Sequence, residues 1–182
     1  MKKALLLLAI ISLWSAQLIF SQLKNENHLL GGTLGFSSKN SHVILGANYE
    51  YQLPQSGVGL FGAGAMVRHW SFSEKLNDNI GQFDYSNTAL GGQLNYNFNR
   101  IGTGVFIPFV GVVLGYNHVS TKYTSYNGVD LIGVDQTYKS GIFMWGQGGM
   151  RYFFNKNFAG SLRLGLGNFD LSTVEFGLDY RF

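Results

Sequence analysis

The chain has 182 residues, of which 25 are Gly, 2 are Pro, none are Cys and 13% are charged; an ordinary soluble domain carries about 25% charged residues and about 7% Gly. The missing Cys excludes a disulfide framework, thiolate metal clusters, a Cys nucleophile and a lipid-modified N-terminal Cys. Every Gly lies at or after Gly31, so the excess belongs to the folded part of the chain.

Met1-Lys2-Lys3, the apolar stretch Ala4 to Trp14 and the small or polar residues Ser15, Ala16, Ser21 and Gln22 form a charged region, a hydrophobic region and a cleavage region. They predict a secretory signal peptide over 1–21, leaving one domain over 22–182. A spanning helix needs about 20 apolar residues, and Ser12, Ser15 and Gln17 interrupt this stretch. Without Lys2 and Lys3 there are 11 basic residues against 10 acidic ones. The sequence pI of about 9.1 therefore owes much to the leader, and it implies no nucleic-acid partner.

After the leader the chain alternates with a period of two, the signature of strands whose successive side chains point to opposite faces. Turn signals between alternating runs predict eight strands near 29–37, 42–53, 58–71, 84–98, 104–119, 137–154, 158–169 and 172–182. In 42–53, Val43, Leu45, Ala47, Tyr49, Tyr51 and Leu53 oppose His42, Ile44, Gly46, Asn48, Glu50 and Gln52. In 88–98, Leu90, Gly92, Leu94, Tyr96 and Phe98 oppose Ala89, Gly91, Gln93, Asn95 and Asn97. In 158–167, Phe158, Leu162, Leu164 and Leu166 oppose Ala159, Ser161, Arg163, Gly165 and Gly167. At the C-terminus, Val174, Phe176, Leu178, Tyr180 and Phe182 oppose Thr173, Glu175, Gly177, Asp179 and Arg181. The connections 54–57, 99–103 and 155–157 are short and alternate with outer connections, two of which, about 72–83 and 120–136, read as long polar loops.

The fold predicted is all-β, an eight-stranded antiparallel up-and-down transmembrane barrel. A soluble barrel of the same pattern would need more exterior charge than 13%. The polar face carries mid-strand charges (Glu50, Arg163, Glu175) beside Gly46, Gly62, Gly64, Gly91, Gly111, Gly115, Gly165, Gly167 and Gly177, as suits a narrow interior filled by side chains. Tyr49, Tyr51, Tyr96, Phe98, Tyr152, Phe153, Phe154, Phe158, Tyr180 and Phe182 sit near strand ends and predict aromatic girdles at both interfaces. Glu50, Arg68, Arg151, Arg163, Glu175, Asp179 and Arg181 read as an interior charge lattice, since charges in such a lumen must be paired. An eight-stranded bore is too small for a porin channel.

The leader ending Phe20-Ser21-Gln22, the strand Ile107 to Tyr116 and the hairpin Gly148 to Phe158 resemble the outer-membrane β-barrel domain proteins common in Bacteroidetes, within the broad class of the OmpA transmembrane domain and OmpX. The ending Phe176, Leu178, Tyr180, Phe182 is similar to the signal by which the barrel-assembly machinery recognises its clients. The resemblance implies a monomer in the cell outer membrane among phospholipid and lipopolysaccharide, without shared catalytic residues. The chain stops at Phe182, where full OmpA-type proteins continue into a peptidoglycan-binding domain.

No cofactor or metal is expected. Gly57-x-Gly59-x-x-Gly62 matches the dinucleotide-binding spacing but opens a strand where that fingerprint needs a following helix. His28, His42, His69 and His118 have no paired-ligand spacing. His118-Val119-Ser120 resembles the His-x-Ser of lipid A deacylases, whose His and Ser act with an acidic residue. Here Thr121 stands where an Asn usually follows, and the sixth strand has no Glu. The function expected is therefore structural or adhesive, with loops 72–83 and 120–136 presented to an extracellular ligand and no open pore. An esterase using His118 and Ser120, or a small-solute channel, are the alternatives.

Overall fold

The computed structural model describes residue 23 and residues 26–37, 42–54, 59–77, 81–99, 105–125, 138–168 and 172–182. The predicted signal peptide lies outside these residues. Eight strands follow one another in chain order: β1 (His28–Ser37), β2 (Val43–Gln52), β3 (Leu60–Asn77), β4 (Gly81–Asn97), β5 (Phe106–Ser125), β6 (Gly141–Phe153), β7 (Phe158–Gly167) and β8 (Thr173–Arg181). Each pairs antiparallel with the next, and β1 pairs with β8, closing the barrel. At the seam the His28 N–H donates to the Phe182 carbonyl and the Phe182 N–H to that of His28, both at 3.0 Å. Closure leaves no sheet edge within the barrel wall, which is what a strand structure in hydrocarbon requires.

The period of two decides the faces. On β8, Val174, Phe176, Leu178, Tyr180 and Phe182 point outward, while Thr173, Glu175, Asp179 and Arg181 are buried inside. The same split holds on β2, β4 and β7. Leu166 is 72% exposed and Ile142 71%, in a wall of similarly bare Leu, Val, Met and Phe. In water such a wall would be an aggregation surface; in a bilayer it is the favourable lipid face. The folded protein is therefore expected to migrate differently on a gel before and after boiling. Identical migration would argue against a closed barrel.

Two expectations need correction. Of the segments read as loops 72–83 and 120–136, residues 72–77, 81–83 and 120–125 are strand. The β3–β4 ladder continues through Phe72↔Tyr85, Ser73↔Asp84 and Lys75↔Gln82, and β5 stays paired with β4 as far as Ser125↔Gly81. Residues 126–136 of the second segment lie outside the described residues. The polar composition of these segments suggested turns, but Trp70 and Phe72 on β3 and Phe83 and Tyr85 on β4 keep the alternation going. Because β2 meets β3 only up to Leu45↔His69 and β6 meets β5 only up to Gly141↔Asn117, these outer ends form a three-stranded sheet projecting beyond the barrel.

The second correction concerns the aromatic girdle. Tyr49, Tyr51, Tyr96, Phe98, Tyr152, Phe154, Phe158, Tyr180 and Phe182 all surround the rim that carries the two described ends, while Phe153 points inward at 1% exposure. They form chains of contacting rings: Tyr96 with Phe61 and Phe98, Tyr152 with Phe154, and Phe158 with Tyr180 and then Phe182. His28 stacks on Phe182 with centroids 5.3 Å apart and bonds Tyr49 Oη through Nδ1 at 2.7 Å. At the opposite rim the outward aromatic residues among those described are Phe36 and Tyr116. Strand ends alone did not distinguish one rim from the other.

Candidate functional site

The lumen is layered. At the terminal rim Leu23, Leu29, Leu60, Ile107, Phe153 and Ala159 form a buried apolar cluster. Leu23 precedes β1 and is held in the mouth by Asn99 Nδ2, which donates to its carbonyl. Toward the opposite rim Ile44, Met66, Trp70, Ala89, Val113, Phe143 and Trp145 form a second cluster. The charged residues lie between, in a compartment closed at both ends.

Arg151 is the hub of this middle layer. Its Nη2 donates to Glu50 Oε2 at 2.6 Å, its Nε to Asp179 Oδ2 at 3.0 Å and its Nη1 to Asn97 Oδ1 at 2.6 Å. Its guanidinium carbon lies 4.5 Å from the Phe109 ring centroid. Glu50 also accepts from Gln52, Asn95 and Asn97, each at 2.7 Å. A buried carboxylate with four donors has its charge fully compensated. Across the lumen Arg68 binds Glu175 through Nε at 3.0 Å and Nη2 at 2.8 Å, and gives Nη1 to the carbonyls of Ala47 and Val67. Asn48 joins the two halves, donating to Asp179 at 3.4 Å and accepting from Arg68 at 3.5 Å.

Five of the seven residues assigned to the charge lattice thus come together in ion pairs: Glu50, Arg68, Arg151, Glu175 and Asp179. Arg163 is in the same lumen, 1% exposed, with none of its nitrogens hydrogen-bonded. Arg181 lies at the terminal rim, where it stacks on Phe153 at 4.8 Å and donates to the Lys156 carbonyl. The amides that complete the lattice, Asn48, Gln52, Asn95, Asn97 and Gln147, were not singled out from sequence. Their signal was the recurrence of Asn and Gln at inward positions.

Glycines make room for these groups. A Cβ on Gly62 would stand 2.1 Å from Glu50 Oε1, and one on Gly31 2.0 Å from Asp179 Oδ1. Gly62→Ala should therefore cost about 1–3 kcal/mol through overpacking. Outward-facing Gly32, with nothing within 4 Å of an added methyl, should accept Ala with no loss. Urea midpoints of the two variants in detergent check the contrast.

On the outside, the apolar wall of β3–β5 ends at the row Val67, Leu90, Tyr116. The next row is His69, Thr88, His118, with His69 Nδ1 bonded to Thr88 Oγ1 at 3.0 Å, followed by Ser71, Ser86, Ser120. His118 and Ser120 do share the outward face. Among the described residues, the nearest carboxylate in register on that face is Asp84, two rows beyond Thr88 and accepting from Ser73 at 2.5 Å and Gln82 at 2.7 Å. No group of acids and histidines among the described residues could hold a metal. The inner face of the projecting sheet is aromatic: Phe72 stacks on His42 at 4.4 Å and contacts Tyr85 and Tyr138, and Phe83 contacts Tyr85 and Tyr123. Burial lowers the pKa of His42 in this cluster, so its imidazole resists protonation.

No protein-family model matches the chain, and no curated protein matches it. Solved structures do. The N-terminal β-barrel domain of Pseudomonas aeruginosa OprF superposes with a TM-score of 0.56 at 13% identity, covering 87% of this chain and 98% of that one. Ail of Yersinia pestis, the attachment invasion locus protein, gives 0.54 at 12% identity, with 88% and 100% covered. A de novo designed transmembrane β-barrel gives 0.50 at 15% identity, with 88% and 99% covered. The fold is that of a small outer-membrane β-barrel. At these identities the likeness concerns the fold alone, and the designed barrel shows that such a fold needs no particular activity.

Proposed function

We propose that this protein is a monomeric barrel of the cell outer membrane, exported by a cleaved leader, that works as a rigid scaffold for surface binding. The observation that carries this reading is the projecting sheet. Three strands continue beyond the apolar wall and carry Ser73, Asp84, Lys122, Lys75, Gln82 and Thr124 on their outer face. A binding surface held by ladders from a closed barrel is presented without the ordering cost of a free loop. The leader and the C-terminal Phe176, Leu178, Tyr180, Phe182 pattern support export and handling by the barrel-assembly machinery, and the sequence motifs support a place among Bacteroidetes barrels of the OmpA/OmpX-like class.

The lumen argues against transport, because a charged layer sealed by two apolar clusters offers no continuous polar path. Among the described residues, the outward His118 and Ser120 have no carboxylate in a neighbouring register position to orient the imidazole, which argues against an esterase. Expression of the protein should leave the lipid A mass spectrum unchanged; a His118-dependent loss of an acyl chain would reverse this reading.

The test of binding is to join Phe72 to Tyr85 through a two-residue Asn-Gly turn. Cells exporting the unaltered protein should adhere to immobilised matrix proteins or heparin, and cells exporting the shortened one should fall to the level of empty cells while heat-modifiable migration persists. Equal adhesion, or none by the unaltered protein, defeats the proposal.

A further inference from the structure

Arg163 is a buried cation left over from the lattice. Its register partner across the β7–β8 ladder is Glu175, but both oxygens of that carboxylate are held by Arg68. Asp179, the next candidate, is shared between Arg151 and Asn48. The Arg163 guanidinium carbon lies over the Phe109 ring, 5.5 Å from its centroid. The ring attracts the cation but offers no oxygen or nitrogen acceptor to its N–H groups. Nε, Nη1 and Nη2 are all buried without a partner.

A second orphan donor lies beside it. Trp145 Nε1 is also buried without a partner. The indole is folded over Gly165, where an added Cβ would stand 2.6 Å from Nε1. Gly165 is one pleat from Arg163 on the same inward face of β7, so the indole packs on the wall position next to that of Arg163. The unpartnered acceptor there, among the described residues, is Gln147 Oε1, opposite Gly165, whose Nε2 is committed to Gln93 and Asn95. One amide oxygen accepts about two hydrogen bonds, fewer than the N–H groups of a guanidinium and an indole together.

We infer that the lumen binds a small monovalent anion of the halide class beside Arg163, held by the guanidinium and by the Trp145 indole N–H. It supplies the Arg163 guanidinium with a counter-charge in direct contact and with an acceptor without directional demands. Because apolar clusters close both ends, the anion enters as the barrel assembles and acts as a folding ligand, raising stability in proportion to the logarithm of its concentration.

The test uses the purified barrel in detergent, unfolded at a series of bromide concentrations, with gluconate, too large for the site, holding ionic strength constant. The unaltered protein should gain stability as bromide replaces gluconate, and Arg163→Gln should lose that dependence. Crystals grown in bromide should show an anomalous peak in contact with Arg163, a readout that stands even if the variant fails to fold. Equal bromide dependence in both proteins would overturn the inference. So would an anomalous map with bromide only elsewhere, or with the Glu175 carboxylate on Arg163.

Discussion

Arg151→Met is expected to destabilise the barrel by about 3–5 kcal/mol, the cost of leaving buried charge without its partner. The substitution keeps a long apolar stem against Phe109 but strips Glu50 and Asp179 of their shared cation. Glu50 keeps three amide donors, so it is hydrogen-bonded but no longer neutralised. The denaturant midpoint in detergent measures the loss. The companion result separates charge from packing: the triple variant Arg151→Met, Glu50→Gln, Asp179→Asn should recover most of the stability, because replacing a whole buried ion cluster with neutral groups is often close to neutral. If the triple variant is as unstable as the single one, shape holds this layer together and not charge balance.

Leu164→Arg should cost about 2–4 kcal/mol, the penalty for a cation near the middle of a lipid-facing barrel wall. Leu164 is 52% exposed on β7, between Gly148 of β6 and Val174 of β8. The same residue on the outer face of the projecting sheet, as Ser71→Arg, should change stability by no more than about 0.5 kcal/mol, as for an ordinary surface site. Folding yields into lipid vesicles would show the difference directly. Equal effects at the two positions would mean that the wall around Leu164 does not face hydrocarbon.

The barrel was legible because its rule is local. Alternation assigns a face to each residue without knowledge of its neighbours, and it put Ile44 inside and Leu166 outside from spacing alone. The extent of β3 to β5 was harder to see, since Ser73, Glu74, Lys75 and Asp84 have turn-like composition although Phe72, Phe83 and Tyr85 continue the pleat. Who pairs with whom across the lumen was not legible. Arg68 reaches Glu175 over 107 positions of chain, while Arg163 faces the same carboxylate in the ladder and does not bond to it. That choice depends on side-chain reach across the bore, which has no sequence period.

The lopsided distribution of Tyr, Phe and His28 means that the molecule is moored in its bilayer from one side. Rings that prefer the headgroup region fix the depth of the terminal rim, while at the far rim the transition from Val67, Leu90 and Tyr116 to His69, Thr88 and His118 is made with side chains that tolerate either setting. A change in membrane thickness is then absorbed at the far rim, by wetting or covering that one row, at fractions of a kcal/mol per Å. The projecting sheet rides up or down relative to the surface, and the seam where His28 meets Phe182 stays at a constant level.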